Sequence, residues 1–117
     1  MFENSRVIPI TPQDFTIDGR IKTNSKIGII CFVAHWCGHC IALEPEFAKA
    51  ANILGESMPF YFFDCVKYQD FARNIGISSF PTIFVIDRQG KINKKYTGGR
   101  TSQDFLNFAC KETRKCF

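Results

Sequence analysis

Both histidines and the only tryptophan of this 117-residue chain fall inside six positions, His35-Trp36-Cys37-Gly38-His39-Cys40. Two thiols separated by two residues can close into a disulfide and reopen, so they accept and return two electrons, at a rate set by how readily one of them ionises. The other four cysteines, Cys31, Cys65, Cys110 and Cys116, stand singly along the chain. Zinc is the competing chemistry: Cys37, His39 and Cys40 with a distant Cys110 or Cys116 would supply four ligands. It is the weaker reading, because the second ligand pair lacks C-x-x-C spacing.

The elements that must position this motif follow from the apolar pattern. Val7 to Ile10 reads as a short strand ended by Thr11-Pro12, with a turn or brief helix through Phe15 and a turn at Asp18-Gly19. Ile27 to Ala34 is almost continuously apolar, the signature of a strand buried on both faces, and it leads straight into the cysteines. Ile41, Leu43, Phe47, Ala48, Ala51 and Leu54 then recur at helical spacing as far as Gly55, with Pro45 predicting a kink in one helix. Phe60 to Cys65 reads as a second central strand and Gln69 to Asn74 as a short helix closed by Gly76. Thr82 to Ile86 and Lys91 to Tyr96 flank the turn Asp87-Arg88-Gln89-Gly90 as an antiparallel hairpin. A last helix starts after the Thr101-Ser102 cap and runs to about Lys111, with Phe105, Leu106, Phe108 and Ala109 inward.

No repeat, linker or low-complexity stretch interrupts this β-α-β-α-β-β-α order, so residues 1–117 are expected to form a single domain. A hydrophobic share of 45% with thirteen phenylalanines supplies a globular core, and no apolar run reaches the length of a membrane span. The net charge of +4 is read as a solvated surface spread over Lys22, Lys26, Lys49, Lys67, Lys91, Lys94, Lys95 and the tail. Without a basic stripe interleaved with aromatics, neither nucleic acid nor membrane is an expected partner. Met1–Arg6 lacks the basic-then-apolar layout of a secretory signal, and Arg114-Lys115-Cys116-Phe117 is no retention sequence. The expectation is therefore a reducing, cytoplasmic or other intracellular compartment, or a virion if the source is a virus.

With Trp36-Cys37-Gly38-His39-Cys40 between a buried strand and a helix, Pro45 five residues past the second cysteine, and Phe80-Pro81-Thr82 opening a later strand, the chain resembles the thioredoxin superfamily. Its Cys-Gly-His-Cys centre is similar to the catalytic domains of protein disulfide isomerases; ordinary thioredoxins have proline where His39 stands. The resemblance implies an α/β thioredoxin fold, three layers α/β/α around a central mixed sheet of four to five strands. It also implies a cis Pro81, and Gly98 or Gly99 on the surface around the active site. The implied activity is thiol–disulfide exchange on protein substrates by a monomer without a cofactor, recycled by a reductase or oxidase.

Within that frame Cys37, at a helix amino terminus, is the expected nucleophile, and Cys40, one turn on and facing inward, the resolving thiol. His39 beside the Cys37 thiolate favours the reduced form, so the potential should lie nearer about −180 mV than the roughly −270 mV of thioredoxin. His35 is expected on the surface, and Trp36 beside the pair, shielding it. Trp36, Gly38, Phe80, Pro81 and Gly98 are the expected substrate-binding residues; the backbone of Phe80, exposed by a cis proline, would pair with an extended segment of substrate.

Two positions depart from the family. A carboxylate usually lies in the central strand beneath the second cysteine, and Cys31 stands there; its partner lysine on the next strand is Phe62. Replacing both members of a buried ion pair leaves neither charge unpaired. Proton transfer from Cys40 must then use water, His39 or the backbone, which predicts slow resolution of the mixed disulfide. Cys31 is read as an inert buried thiol, with a third redox thiol as the bolder alternative. Cys65 is read as packed, and Cys116 as idle, intermolecular or an electron acceptor for Cys40. A non-catalytic adaptor on the same fold is the rival function.

Overall fold

The computed structural model describes residues 1–22, 25–92 and 94–117. At its centre lies β2 (Gly28–Val33), buried at every position, flanked by the parallel β3 (Phe60–Asp64) and the antiparallel β4 (Thr82–Ile86). β1 (Ile8–Ile10) adds parallel to β3 and β5 (Lys94–Lys95) antiparallel to β4, so the sheet order is β1-β3-β2-β4-β5. The hairpin is shorter than the sequence suggests. Its second strand shows two residues where Lys91 to Tyr96 was expected, Asn93 lying outside the described residues, although the Tyr96 amide still donates to the Ile83 carbonyl at 2.8 Å.

Strand alternation sorts the core into two clusters. Ile29, Cys31 and Val33 of β2 face α1 (Gly38–Leu54) and α3 (Ser102–Thr113), meeting Cys40, Leu43, Phe47, Phe105 and Ala109. Ile30 and Phe32 face the other way, toward α2 (Gln69–Asn74) and its buried Ala72. Three layers result, as the resemblance implies. α1 is one unbroken helix with Pro45 inside it, and Gly55 closes it at a positive φ of 57°. Ile41 departs from the expected apolar stripe, being 54% exposed, while Phe108 is half-buried and packs edge-on against Tyr96 at 5.2 Å. α3 starts from Thr101, whose side chain accepts from the Asp104 amide while the Asp104 carboxylate takes the Thr101 amide, a reciprocal cap.

Gly90 is a glycine by necessity. Its φ is +85°, and a Cβ there would stand 2.1 Å from the Ile21 carbonyl oxygen, whose residue pairs back through its own amide to Gly90 at 2.8 Å. The turn residue thereby pins the segment after β1 against the β4–β5 hairpin. Beyond α1's carboxyl end, Lys26, Arg88 and Lys115 line one cavity of about 370 Å³ with Glu56, so part of the basic charge that the sequence reads as spread is gathered at this end. No helix among the described residues is long and apolar enough to cross a membrane.

Candidate active site

A strand that ends in Val33 and a helix that begins at Gly38 leave Cys37 as the N-cap of α1, with extended backbone (φ −84°, ψ 122°). The first amides of a helix have no partner within it, so whatever sits at the N-cap meets unpaired donors and the positive end of the helix dipole. The neutral Cys37 thiol makes no capping bond; it donates to the Phe80 carbonyl at 3.4 Å. Its thiolate does better. The Cys40 amide above all, helped by the Cys40 thiol, the His39 amide and the charge of Arg100, holds the Cys37 pKa below its ordinary value against the opposing cost of burial.

Cys40 lies three residues along the helix and has no exposed surface. Burial first, then the neighbouring Cys37, push its thiol up to about 11, although the Ala34 backbone and Arg100 pull the other way. One turn of helix thus separates an accessible, acidified sulfur from an enclosed one that keeps its proton.

Around this pair the expected binding residues take distinct places. The Phe80–Pro81 bond is cis, with Pro81 buried and Phe80 half-buried. Trp36 is 63% exposed and meets the Phe80 ring edge-on at 5.8 Å. Gly38, His35 and His39 are exposed, and neither imidazole makes a hydrogen bond or ion pair among the described residues. Gly98 belongs to a neighbouring cleft, where an added Cβ would lie 2.7 Å from the Tyr96 hydroxyl; Arg100 is the residue of this loop whose charge reaches the two thiols. Sequence reasoning missed Arg100, and it missed Ile41, which lies four residues after Cys37 on the same helix face and adds exposed apolar surface to Trp36.

Beneath the pair, Cys31 is fully buried, in the same cluster as Cys40, and directly opposite Phe62 in the β2–β3 register. Burial, with Cys40 adding to it, raises its thiol well above the ordinary value, so it is neutral. Where the resemblance places a lysine, the Phe62 ring packs on Phe2 at 4.9 Å, and Phe2 in turn on Phe47 at 5.8 Å. Aromatic contact fills the ground of the absent ion pair. Cys65 is buried on the other face and pushed up to about 12, mainly by burial.

The tail is paired within the chain, an arrangement not among the options weighed for it. Cys116 is bonded to Cys110 across six residues, with Cα atoms 4.5 Å apart. That end of α3 stands beside Glu56 and Ser57, past the carboxyl end of α1, while Cys37 caps the other end of a 17-residue helix about 25 Å long. Cys40 therefore cannot pass electrons to Cys116 within one molecule, and neither tail thiol can join Cys37, His39 and Cys40 around a zinc ion. Among the described residues no group of three or more His, Cys, Asp or Glu side chains converges as a metal site.

Comparison with known proteins agrees with this geometry. The family model described as Thioredoxin matches residues 6–111. The chain belongs to the thioredoxin family. Among its relatives, protein disulfide-isomerase 2-3 of Arabidopsis thaliana is 34% identical over 111 residues, 95% of this chain and 24% of the relative. Protein disulfide-isomerase A6 of Mesocricetus auratus is 34% identical over 109 residues, covering 93% of this chain and 24% of that protein. This thioredoxin-family chain thus spans about a quarter of the length of those curated relatives. The J-Trx1 fragment of ERdj5 superposes with a TM-score of 0.78 at 22% identity, over 94% of this chain and 53% of that one. The Trx4 domain of ERdj5 does so with 0.73 at 22% identity, over 93% and 98%. Both likenesses support the fold.

Proposed function

We propose that this chain is a thiol–disulfide oxidoreductase that exchanges disulfides with cysteines of protein substrates through Cys37 and Cys40, in the manner of a protein disulfide-isomerase domain. The observation that carries the reading is the opposed displacement of two thiols one helical turn apart: Cys37 lowered, Cys40 raised to about 11. A nucleophile must be ionised before it meets substrate, whereas a resolving thiol that ionised early would close on Cys37 before the exchange was complete. Cys37 attacks a substrate sulfur and forms a mixed disulfide. Cys40 then loses its proton, attacks Cys37, and releases the substrate thiolate.

Substrate is proposed to lie along Phe80, whose carbonyl is freed from the Cys37 thiol as soon as that sulfur ionises or is bonded. Paired there as an added strand, an extended segment would be held by its backbone, with Trp36 and Ile41 offering apolar contact to any side chain. Such binding suits many sequences. His39, exposed at the helix start, is proposed to strengthen the Cys37 thiolate further when protonated and so to shift the potential toward about −180 mV. The proposed setting is an intracellular compartment with a reductase or oxidase as electron partner.

Insulin reduction by dithiothreitol, compared with Cys37→Ala, tests the reading: catalysis by the native chain and none by the variant is the expected result. Equal rates for both proteins would reduce the chain to an adaptor. Equilibration of the pair in glutathione buffers then gives the direction of electron flow, oxidant or isomerase near about −180 mV and reductant near about −270 mV.

A further inference from the structure

We propose that the Cys110–Cys116 disulfide is a second redox site, opened in trans by the Cys37/Cys40 dithiol of another copy of this chain. The proposal rests on the oxidoreductase reading above and names one substrate for it.

Four features of the tail carry it. The bond is accessible from one side: Cys116 is exposed while Cys110 is half-buried on the last turn of α3, so an incoming thiolate meets the Cys116 sulfur and Cys110 is the leaving group. Lys111, Arg114 and Lys115, against the single anion Glu112, lie between the two cysteines in the chain, a net positive charge that favours an incoming anionic sulfur and the thiolates that form. Opening it disturbs no core contact, because α3 is anchored by Phe105, Leu106 and Ala109, which precede both cysteines. Finally, the bond lies past the far end of α1 from Cys37, which removes any route within one molecule.

The shape of the tail says why a second copy is its partner. Arg114 ends α3 in the left-handed conformation, and residues 115–117 continue without helix or strand. Lys115-Cys116-Phe117 is thus a segment outside the sheet and helices, its Lys115 amide donating to Thr113 Oγ1 at 3.2 Å, with a cysteine at its centre and a 65% exposed phenylalanine beside it. Against Phe80 of another copy it can add as a strand, with Cys116 toward Cys37 and the adjacent Phe117 on the opposite face.

The exchange balances. The Cys37 thiolate attacks Cys116, the Cys110–Cys116 bond breaks, and Cys110 leaves as a thiolate that takes a proton from water. Cys40 gives its proton to water, attacks Cys37 and expels the Cys116 thiolate. One active-site dithiol has been oxidised by two electrons, and one tail disulfide of the other copy reduced by the same two.

Trapping tests this directly. Cys40→Ser in a Cys110→Ser/Cys116→Ser background keeps the attacking sulfur and removes its own tail bond; it is mixed with a tagged Cys37→Ser copy whose tail is intact. A disulfide-linked heterodimer is expected, with peptide mass joining Cys37 to Cys116, and it should be lost when the tagged copy carries Cys116→Ser. Absence of the heterodimer, while the same Cys40→Ser protein captures insulin, overturns the trans exchange and leaves the oxidoreductase reading standing. Failure to capture insulin as well overturns that reading too. A measurement independent of those variants uses the native chain with its active site reduced and its tail oxidised. Mass counting of alkylated thiols should show tail reduction accelerating tenfold when protein concentration rises about tenfold, the mark of a second-order step. A rate independent of concentration would refute it.

Discussion

At the level of single residues, the candidate site sets two chemically identical groups apart. Cys37 meets amides, a thiol donor and Arg100; Cys40 meets apolar packing. The consequences for pH follow with opposite signs. A thiol whose pKa falls on folding binds fewer protons in the native state, so the dithiol form gains stability as pH rises from the Cys37 pKa to the usual thiol value of about 8.5. Cys40 and Cys65, at about 11 and about 12, keep their protons longer than an unfolded thiol, so stability falls again above that value. Urea midpoints of the dithiol form should therefore pass through a maximum near about pH 8.5, while the Cys37–Cys40 disulfide form shows only the alkaline decline. Coincident curves for the two forms would show the Cys37 shift to be absent. Cys31 supplies a second test. In Cys31→Asp a lone carboxylate lies opposite Phe62 with no cation to pair it, and it should destabilise the chain by several kcal/mol. The same carboxyl gives Cys40 a proton acceptor, so single-turnover release of a mixed disulfide should become faster and pH-dependent. An unchanged rate across pH would mean that proton transfer from Cys40 never limited the reaction.

The elements show how far a local pattern reaches. α2 occupies the residues that its pattern predicts, Gln69–Asn74, and β2, β3 and β4 fall within a residue or two, because continuous apolar runs between turn residues leave few alternatives. The Thr101 cap follows equally from local chemistry, and the cis Pro81 from the family resemblance carried by Phe80-Pro81-Thr82. Arg100 does not. Its influence on two thiols about sixty residues earlier in the chain exists only because the loop between β5 and α3 folds back over α1, where the Ser102 amide donates at mid-helix to the Glu46 carboxylate at 2.8 Å. Ile41 reads as core for a related reason: helical spacing finds an apolar stripe but not where that stripe runs past the end of the sheet. The cap and the charge are linked. Thr101→Ala removes the reciprocal bonds with Asp104 and should cost about 1 kcal/mol, visible as a lower urea midpoint. It also loosens the residue that follows Gly99, so the midpoint of Cys37 alkylation against pH should move upward toward the free-thiol value. Arg100→Ala should give the second effect without the first, and a Cys37 midpoint that ignores both substitutions would remove Arg100 from the site.

For the whole molecule, the question is which features hold the fold and which merely decorate it. Phe47 has no exposed surface and touches the rings of Phe2, Phe60 and Phe105 at 5.8, 4.7 and 5.3 Å, tying the amino-terminal segment, the sheet and α3 to α1. Its truncation to alanine should cost about 3–5 kcal/mol. The Cys110–Cys116 bond invites a larger expectation than its geometry supports. It was not legible in the sequence, since pairing depends on α3 extending to Thr113 and on the left-handed turn at Arg114 that brings the tail back. A cross-link stabilises chiefly by shrinking the unfolded ensemble, and a loop this short removes little: about 2 kcal/mol at most, against about 4.7 for a loop of a hundred residues. Cys110→Ser/Cys116→Ser should accordingly lower the melting temperature by less than Phe47→Ala does, at about 4 °C per kcal/mol for a domain of this size. Because this end of α3 stands past the carboxyl end of α1, whose amino end Cys37 caps, the pH midpoint of Cys37 alkylation should not move. A melting-temperature loss equal to that of Phe47→Ala would make the tail part of the core, and a bond that costly to open would be a staple, not an exchange site.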